Sequence, residues 1–536
     1  MKFRVLSQKE IDKVNNLYHS DCYCISDKSL NDLYDNHVTL FGCFDYDMIA
    51  CFSIKDLSSI DFFIIDKKYD LNEVLSVFKS FIKIICLSSV MIHVHQLYSH
   101  YFKDDFCVVS TNNEYVTLKY VRPITKQFTS FNEVYTFIQS QKNLVYSLDN
   151  FKRFMHEFGE IQNRLACIHI GGTNGKGSTT NYLRNVLQYE GYKVATFTSP
   201  ALISRLDVIR INNEAILEEE YIEFASCFVD IWVQYQLSMF EIEVFMAILH
   251  FIRHGVDFAI FEVGLGGELD ATNIVYPIIS AITNIGLDHV EYLGDTYEKI
   301  AQTKAGIIKE NSAFITGETK QSCLDIFKNV CSNKNAKMIS MDKISHIQEN
   351  IHHIEYSYHD YHITLNTSAS YQIQNSALAL EILLYLKEND IIHLDDIHLK
   401  NGLKEALWQG RFETVCHNPL IIIDGAHNKE GINAFYNSAI KYNNIKIIFS
   451  ALKDKDTNYM IEKLLELTDD VTVCEFDFYR AQSAKLLAGD YPVKIKKDWK
   501  DAINDAYSHD GVVFVTGSLY FISEVRAYIL EKQKFV

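Results

Sequence analysis

Lys176 carries the most legible chemistry in the chain, because it sits inside Gly172-Thr-Asn-Gly-Lys-Gly-Ser-Thr179. Gly172, Gly175 and Gly177 let the backbone turn sharply and bring its N–H groups against phosphate oxygens. Lys176 adds a point charge for β- and γ-phosphates. A helix predicted from Ser178 to Glu190 aims its positive end at the same anion, after a buried strand predicted over 165–170. Residues 172–179 are therefore the expected nucleoside triphosphate cradle. The common pattern puts Ser or Thr directly after the lysine as a magnesium ligand. Here that place is Gly177, so a metal ligand must come from elsewhere.

Several polar groups stand where they could supply it. Ser199 follows a strand predicted over Lys193 to Phe197. Glu262 ends a buried strand, Ala259 to Val263, just before the glycines of Glu262-Val-Gly-Leu-Gly-Gly267. A buried carboxylate needs a partner, and a hard cation is the natural one beside phosphate. His289 closes Gly286-Leu-Asp-His289 after another apolar strand, and Lys304 lies in an apolar run where an unpaired charge is costly. Further on, Arg411 in Gly410-Arg-Phe-Glu413 offers a phosphate contact, while Asp424-Gly-Ala-His-Asn428 ends a strand with groups suited to a ribose or phosphoryl group. Loops at the carboxyl ends of parallel strands are where α/β sheets place ligands.

The elements that must hold these residues divide into three units. A chain of 536 residues is too long for one core. Hydrophobic content of 48% with 22% charged residues describes a folded globular chain. No apolar run reaches the roughly 18 residues that span a bilayer. The first residues lack the apolar core of a signal peptide, so the cytoplasm is expected. The twelve cysteines show no CxxC spacing and read as buried small hydrophobes. Lys and Arg number 51 against 69 Asp and Glu, a net charge of −18, which argues against a nucleic-acid face.

Residues 1–122 read as a separate α+β unit: a hairpin over 39–54, a strand over 59–65, a helix over 71–85, a strand near 90–94, and a hairpin turning at Asn112-Asn113. This order resembles a GNAT-type N-acyltransferase. That family grips coenzyme A pyrophosphate with a glycine-rich loop, whereas the matching stretch here is Asp66-Lys-Lys-Tyr-Asp70. A degenerate accessory module is the expectation. His93 and His95 alternate on one face, without acidic partners, and read as structural. After a linker at 122–127, residues 128–405 alternate helix and strand, predicting a parallel sheet. Residues 408–536 repeat that pattern as a second α/β unit.

From Phe131 onward the motifs resemble those of the folylpolyglutamate synthase / dihydrofolate synthase family of the Mur ligase superfamily. They agree in order and spacing: the loop at 172–178, Thr198-Ser-Pro200, Glu262-Val-Gly-Leu-Gly-Gly267 with Leu269-Asp-Ala-Thr-Asn273, Gly286-Leu-Asp-His289, Lys304-Ala-Gly-Ile-Ile-Lys309, Gly410-Arg-Phe-Glu413, Asp424-Gly-Ala-His-Asn428 and Gly517-Ser-Leu-Tyr520. The resemblance implies a central P-loop domain followed by a Rossmann-like C-terminal domain. It implies an ATP- and magnesium-dependent ligase joining L-glutamate to dihydropteroate or folate through an acyl phosphate, working as a monomer on small molecules alone. Lys176 and the loop would hold phosphates, and Ser199, Glu262 and His289 would carry magnesium. Lys304 would be carbamylated and hold a second metal, with room for a monovalent cation. Arg411 would reach ATP phosphate, Asn375 the adenine side, Asp424 the ribose and His427 the reacting phosphate. Two positions depart from the family's usual residues: Glu268 stands in place of an arginine, and Ala201 in place of a histidine. Other readings are a Mur-type ligase for a different carboxylate and an acyltransferase led by residues 1–122.

Overall fold

The computed structural model describes residues 3–6, 10–18, 22–26, 38–45, 47–112, 114–141 and 147–533. Three α/β layers follow one another along the chain.

In the first sheet the strands run Phe3–Val5, Val38–Asp45, Asp47–Lys55, Ser59–Asp66, Ser89–His95, Tyr115–Val121, Cys107–Thr111, with Cys22–Ser26 added beside Ser59–Asp66. Helix Leu71–Ile85 buries one apolar stripe on this sheet and is capped at its start by Asp70. Phe3, Phe52, Phe63 and Phe78 pack edge-on and stacked beneath it. This core is continuous with helices of the middle unit, through Phe128, Phe151, Phe228 and Phe245. The linker expected from residue 122 does not begin freely. Arg122 is buried and donates to the carbonyls of Lys83, Ile84 and Cys86, because a guanidinium carried into an apolar junction must find acceptors. His93 Nδ1 lies 2.9 Å from Thr117 Oγ1, and His95 Nδ1 accepts from the Leu97 amide.

The middle sheet orders its strands Glu214–Ala215, Ile209–Ile211, Val194–Phe197, Phe258–Glu262, Cys167–Gly171, Ile279–Ile282, Ala313–Thr316, Lys337–Ser340. From Val194–Phe197 onward every pairing is parallel. Parallel strands are covered on both faces, which is why they read as unbroken apolar runs. The C-terminal sheet repeats the design in the order Glu413–His417, Leu420–Asp424, Val512–Thr516, Ile445–Phe449, Val471–Glu475, Lys494–Asp498, antiparallel only at its first pair. No helix among the described residues is long and apolar enough to cross a membrane.

Candidate active site

The phosphate loop leaves strand Cys167–Gly171 and enters helix Lys176–Tyr189. The helix starts two residues earlier than its apolar pattern predicts, because Gly175 caps it in a left-handed conformation at φ 87°. Its first turn is therefore Lys176-Gly-Ser, with amides facing the loop. Lys176 Nζ folds back onto the carbonyls of Gly172 and Thr173, at 3.1 and 3.2 Å. Asn284 and Thr283 pin the loop from the neighbouring strand end: Asn284 Oδ1 accepts from the Asn174 amide, and Thr283 Oγ1 donates to the Asn174 carbonyl.

The register explains how Glu262 reaches this loop. Glu262 pairs with Ile170 across parallel strands, so its carboxylate stands abreast of the loop's start. A Cβ added at Gly177 would lie 3.4 Å from Glu262 Oε2 and 3.0 Å from Trp408 Nε1. The side chain absent from Gly177 thus leaves room for an acid from the next strand and an indole from the next unit. The Ser199 amide donates to Glu262 Oε2 at 3.3 Å. Burial raises the Glu262 pKa, against the pull of Lys176 and Arg411. Gly177, Ser199, Ala201, Glu262, Trp408 and Arg411 line one cavity between the middle and C-terminal units. Arg411 of the C-terminal unit thus faces Gly177 of the phosphate loop across that cavity.

Lys304 ends helix Tyr297–Lys304 and is 5% exposed. Gly267 is needed here: a Cβ on it would lie 2.8 Å from the Lys304 carbonyl. Lys304 Nζ donates to the Gly172 carbonyl at 2.9 Å, and among the described residues no acid lies within ion-pair distance. Burial, helped by the Lys176 charge, lowers its pKa to about 7. His289 turns toward Asp288, its Nε2 4.0 Å from the carboxylate. Burial lowers the His289 pKa, and both Lys176 and Lys304 are near enough to add to that effect.

On the C-terminal side, Asp424 is buried and its carboxylate accepts from Tyr371 Oη and from the amides of Phe412 and Ala426. His427 Nδ1 donates to the Gly425 carbonyl at 2.7 Å, which fixes the tautomer and leaves Nε2 unprotonated, 3.8 Å from Asp288. Burial, then Lys455, lowers the His427 pKa to about 4. Asn375 Oδ1 sits directly over the Cα of Gly175, and the Thr179 hydroxyl donates to the Asn375 carbonyl. The Ser178 hydroxyl accepts from Gln372.

Sequence reasoning missed the group that ties the halves together. Asn174 and Asn428 exchange amide hydrogen bonds at 3.2 and 3.1 Å, and Asn428 also donates to Asp288. Lys455 bonds Asp288 at 2.8 Å, while the Leu287 amide donates to Glu430. Burial raises the Asp288 pKa, but Lys455 and the nearby His427 and His289 outweigh it and hold the carboxyl well below its ordinary range. These residues lie inside recognisable motifs, but nothing local pairs Asp288 with a lysine 167 positions away. Of the two departures from the family pattern, Ala201 lines the cavity, while Glu268 is exposed.

Residues 170–383 match the Mur ligase middle domain, and residues 410–519 match the Mur ligase glutamate ligase domain. The dihydrofolate synthase/folylpolyglutamate synthase of Bacillus subtilis (strain 168) is 36% identical over 405 residues, 71% of this chain and 94% of its own. The chain belongs to the dihydrofolate synthase/folylpolyglutamate synthase family. Its fold agrees: the folylpolyglutamate synthase of Thermotoga maritima superposes with a TM-score of 0.66 at 30% identity, covering 74% of this chain and 96% of that one. The Mycobacterium tuberculosis folylpolyglutamate synthase, complexed with ADP, superposes with a TM-score of 0.67 at 25% identity, covering 74% and 98%. Both family domains fall within residues 170–519, so the N-terminal sheet stands outside them.

Proposed function

We infer that this chain is an ATP-dependent ligase that joins L-glutamate to the carboxylate of dihydropteroate, to the γ-carboxylate of a folate, or to both in turn. The observation that carries this reading is the cavity where Gly177, Ser199 and Glu262 of the middle unit face Arg411 of the C-terminal unit. ATP lies with its phosphates on the amides of residues 172–179. Lys176 turns from its two carbonyls to the β- and γ-phosphates, and Arg411 approaches the γ-phosphate from the opposite wall. Asn375 and Asp424 border the nucleoside.

The substrate carboxylate oxygen attacks the γ-phosphorus, the bond to the β-bridging oxygen breaks, and ADP departs. The glutamate amine then attacks the acyl carbon, and inorganic phosphate leaves from the tetrahedral intermediate. His427, neutral and with Nε2 free to accept, takes the proton that the amine must lose. Triphosphate charge nearby makes that nitrogen a stronger base than burial alone allows. The rate comes from positioning and charge neutralisation.

The donor set suits a hard divalent cation, because the buried Glu262 carboxylate stands beside Ser199 and the glycine-rich loop. Ser199 and Glu262 would hold magnesium with His289 at the rim, and the ion supplies charge for the phosphoryl oxygens. Lys304 fits a carbamate: a buried amine with a pKa of about 7 is about half neutral at neutral pH, far more than an ordinary lysine. Its nitrogen adds to the carbon of CO2, one C=O electron pair moves to oxygen, and the amine proton goes to solvent. The anion that results suits a second metal. A monovalent cation would serve as a further counter-charge to the phosphates.

We read residues 1–122 as a GNAT-like accessory module without acetyl transfer. Its strand order, with Tyr115–Val121 inserted between Ser89–His95 and Cys107–Thr111, supports that reading. The units at 128–405 and 408–536 form the ligase, acting as a cytoplasmic monomer on small molecules. The test is glutamate-dependent ADP release, first with dihydropteroate and then with tetrahydrofolate as acceptor. Stimulation by either supports the reading, and stimulation by neither overturns it.

A further inference from the structure

Helix Glu218–Gln234 and helix Met239–Arg253 bring together Glu220, His250 and His254. None of the three belongs to the nucleotide cleft. His250 and His254 are four residues apart, so they project from one helix face, and Glu220 meets them from the neighbouring helix. Glu220 Oε2 is 3.1 Å from His250 Nδ1 and 3.1 Å from His254 Nε2. One ligand atom from each residue lies within 4.8 Å of the others.

A second observation points to a ligand. His250 is only 5% exposed, yet among the described residues its Nδ1 has no well-aligned hydrogen-bond partner. The atom is close to the Glu220 carboxylate but out of line for donation to it. That arrangement is awkward for a donor and an acceptor, but natural for two atoms that both face a third. Zinc bonds of about 2.0 to 2.2 Å in a tetrahedron set neighbouring ligand atoms about 3.4 Å apart. The two Glu220 distances need only a few tenths of an ångström of relaxation to match.

Charge also permits an ion there. Arg253 approaches Glu220 at 3.6 Å, but its closer partner is Glu223 at 2.6 Å, so its charge is already answered. His254 is 41% exposed along its side chain, giving an ion a way in from solvent. Two imidazoles and one carboxylate select a borderline transition ion over magnesium.

We propose that Glu220, His250 and His254 form a binding site for a zinc-type divalent ion, held by three protein ligands with a fourth position open to water. The site sits at the junction with the N-terminal sheet, since Glu223 also accepts from Ser88 of that unit. An ion there would brace the two helices beneath the accessory unit.

The test uses the full chain, stripped with chelator and titrated with Co2+ in excess Mg2+. The expected result is one equivalent of Co2+ with the intense visible bands of a four-coordinate nitrogen–oxygen site, displaced by Zn2+. His254→Ala, at the exposed ligand, and Glu220→Gln, close in shape, should each weaken binding by at least about 100-fold, since even residues behind the ligands are worth 10- to 100-fold. Circular dichroism of His254→Ala confirms that the fold persists. Failure of the wild-type chain to bind stoichiometrically, or equal binding by both variants, overturns the proposal.

Discussion

The two walls of the candidate nucleotide cleft hold their buried charges differently. On the middle-unit wall, Lys304 and Glu262 have no ion-pair partner among the described residues, and burial pushes each toward its neutral form. On the C-terminal wall, Asp424 is met by three donors, and Lys455 and Asn428 reach across to Asp288 of the middle unit. Buried charges that lack a counter-charge cost stability, and natural chains keep them where a ligand completes them. The contrast separates a wall that waits for ions from one that is finished without them.

Lys304→Ala attacks the waiting wall and should have the largest effect. We expect turnover to fall at least about 100- to 1000-fold, the scale for removing one group that steadies transition-state charge. Added acetate or formate should restore part of it, as a stand-in for the carbamate. Full activity of the alanine variant without such an acid would remove Lys304 from the ligase site.

Lys455→Met tests the finished wall by leaving the Asp288 charge without its cation. Breaking one partner of a buried charged pair costs several kcal/mol, part of which solvent recovers at an open cleft. The expected outcome is a roughly 10- to 100-fold higher KM for ATP with a smaller change in kcat. An unchanged KM would show that the pair does not hold the walls together.

Gly177→Ser restores the common phosphate-loop residue and should nonetheless lower activity, by about tenfold. The new side chain enters space bounded by Trp408 Nε1 at 3.0 Å and Glu262 Oε2 at 3.4 Å. Steady-state kinetics with varied Mg2+ read this directly, and improved turnover would mean that Glu262 is not the substitute ligand.

The smallest effect concerns pH and stability. His427 and His169 are held neutral mainly by burial, with pKa values lowered from 6.5 to about 4 and about 3. Their contribution is complete above pH 6.5 and is lost as pH falls through that window, because the unfolded chain then binds the extra protons. Each histidine gives a slope of up to about 1.4 kcal/mol per pH unit. Urea midpoints measured from pH 7 to 4.5 should fall, and His427→Gln should flatten the fall. An identical slope in that variant would show His427 to be charged in the folded chain.

Much of this was legible in the chain itself. The strands expected over 165–170 and Ala259 to Val263, and the one that Asp424 ends, place polar groups at one edge of two sheets, and the structure has strands at Cys167–Gly171, Phe258–Glu262 and Leu420–Asp424. What stayed hidden was pairing over distance. The start of helix Lys176–Tyr189 depends on a left-handed Gly175, which periodicity does not register. Trp408 over Gly177, Asn174 with Asn428, and Asp288 with Lys455 each join residues more than a hundred positions apart. His250-Phe-Ile-Arg-His254 carries a visible helical spacing, but its acid, Glu220, belongs to another helix.

Gly177 has a last consequence. In an ordinary phosphate loop, one short peptide carries both the phosphate contacts and the metal hydroxyl, so the function travels with the loop. Here the proposed metal acid stands on a separate strand, and the Glu262–Ile170 pairing acts as a ruler between ion and phosphate. A slip of one residue would turn that acid to the opposite face of the sheet. The loop grafted alone into another protein would keep its grip on phosphate and leave its magnesium behind.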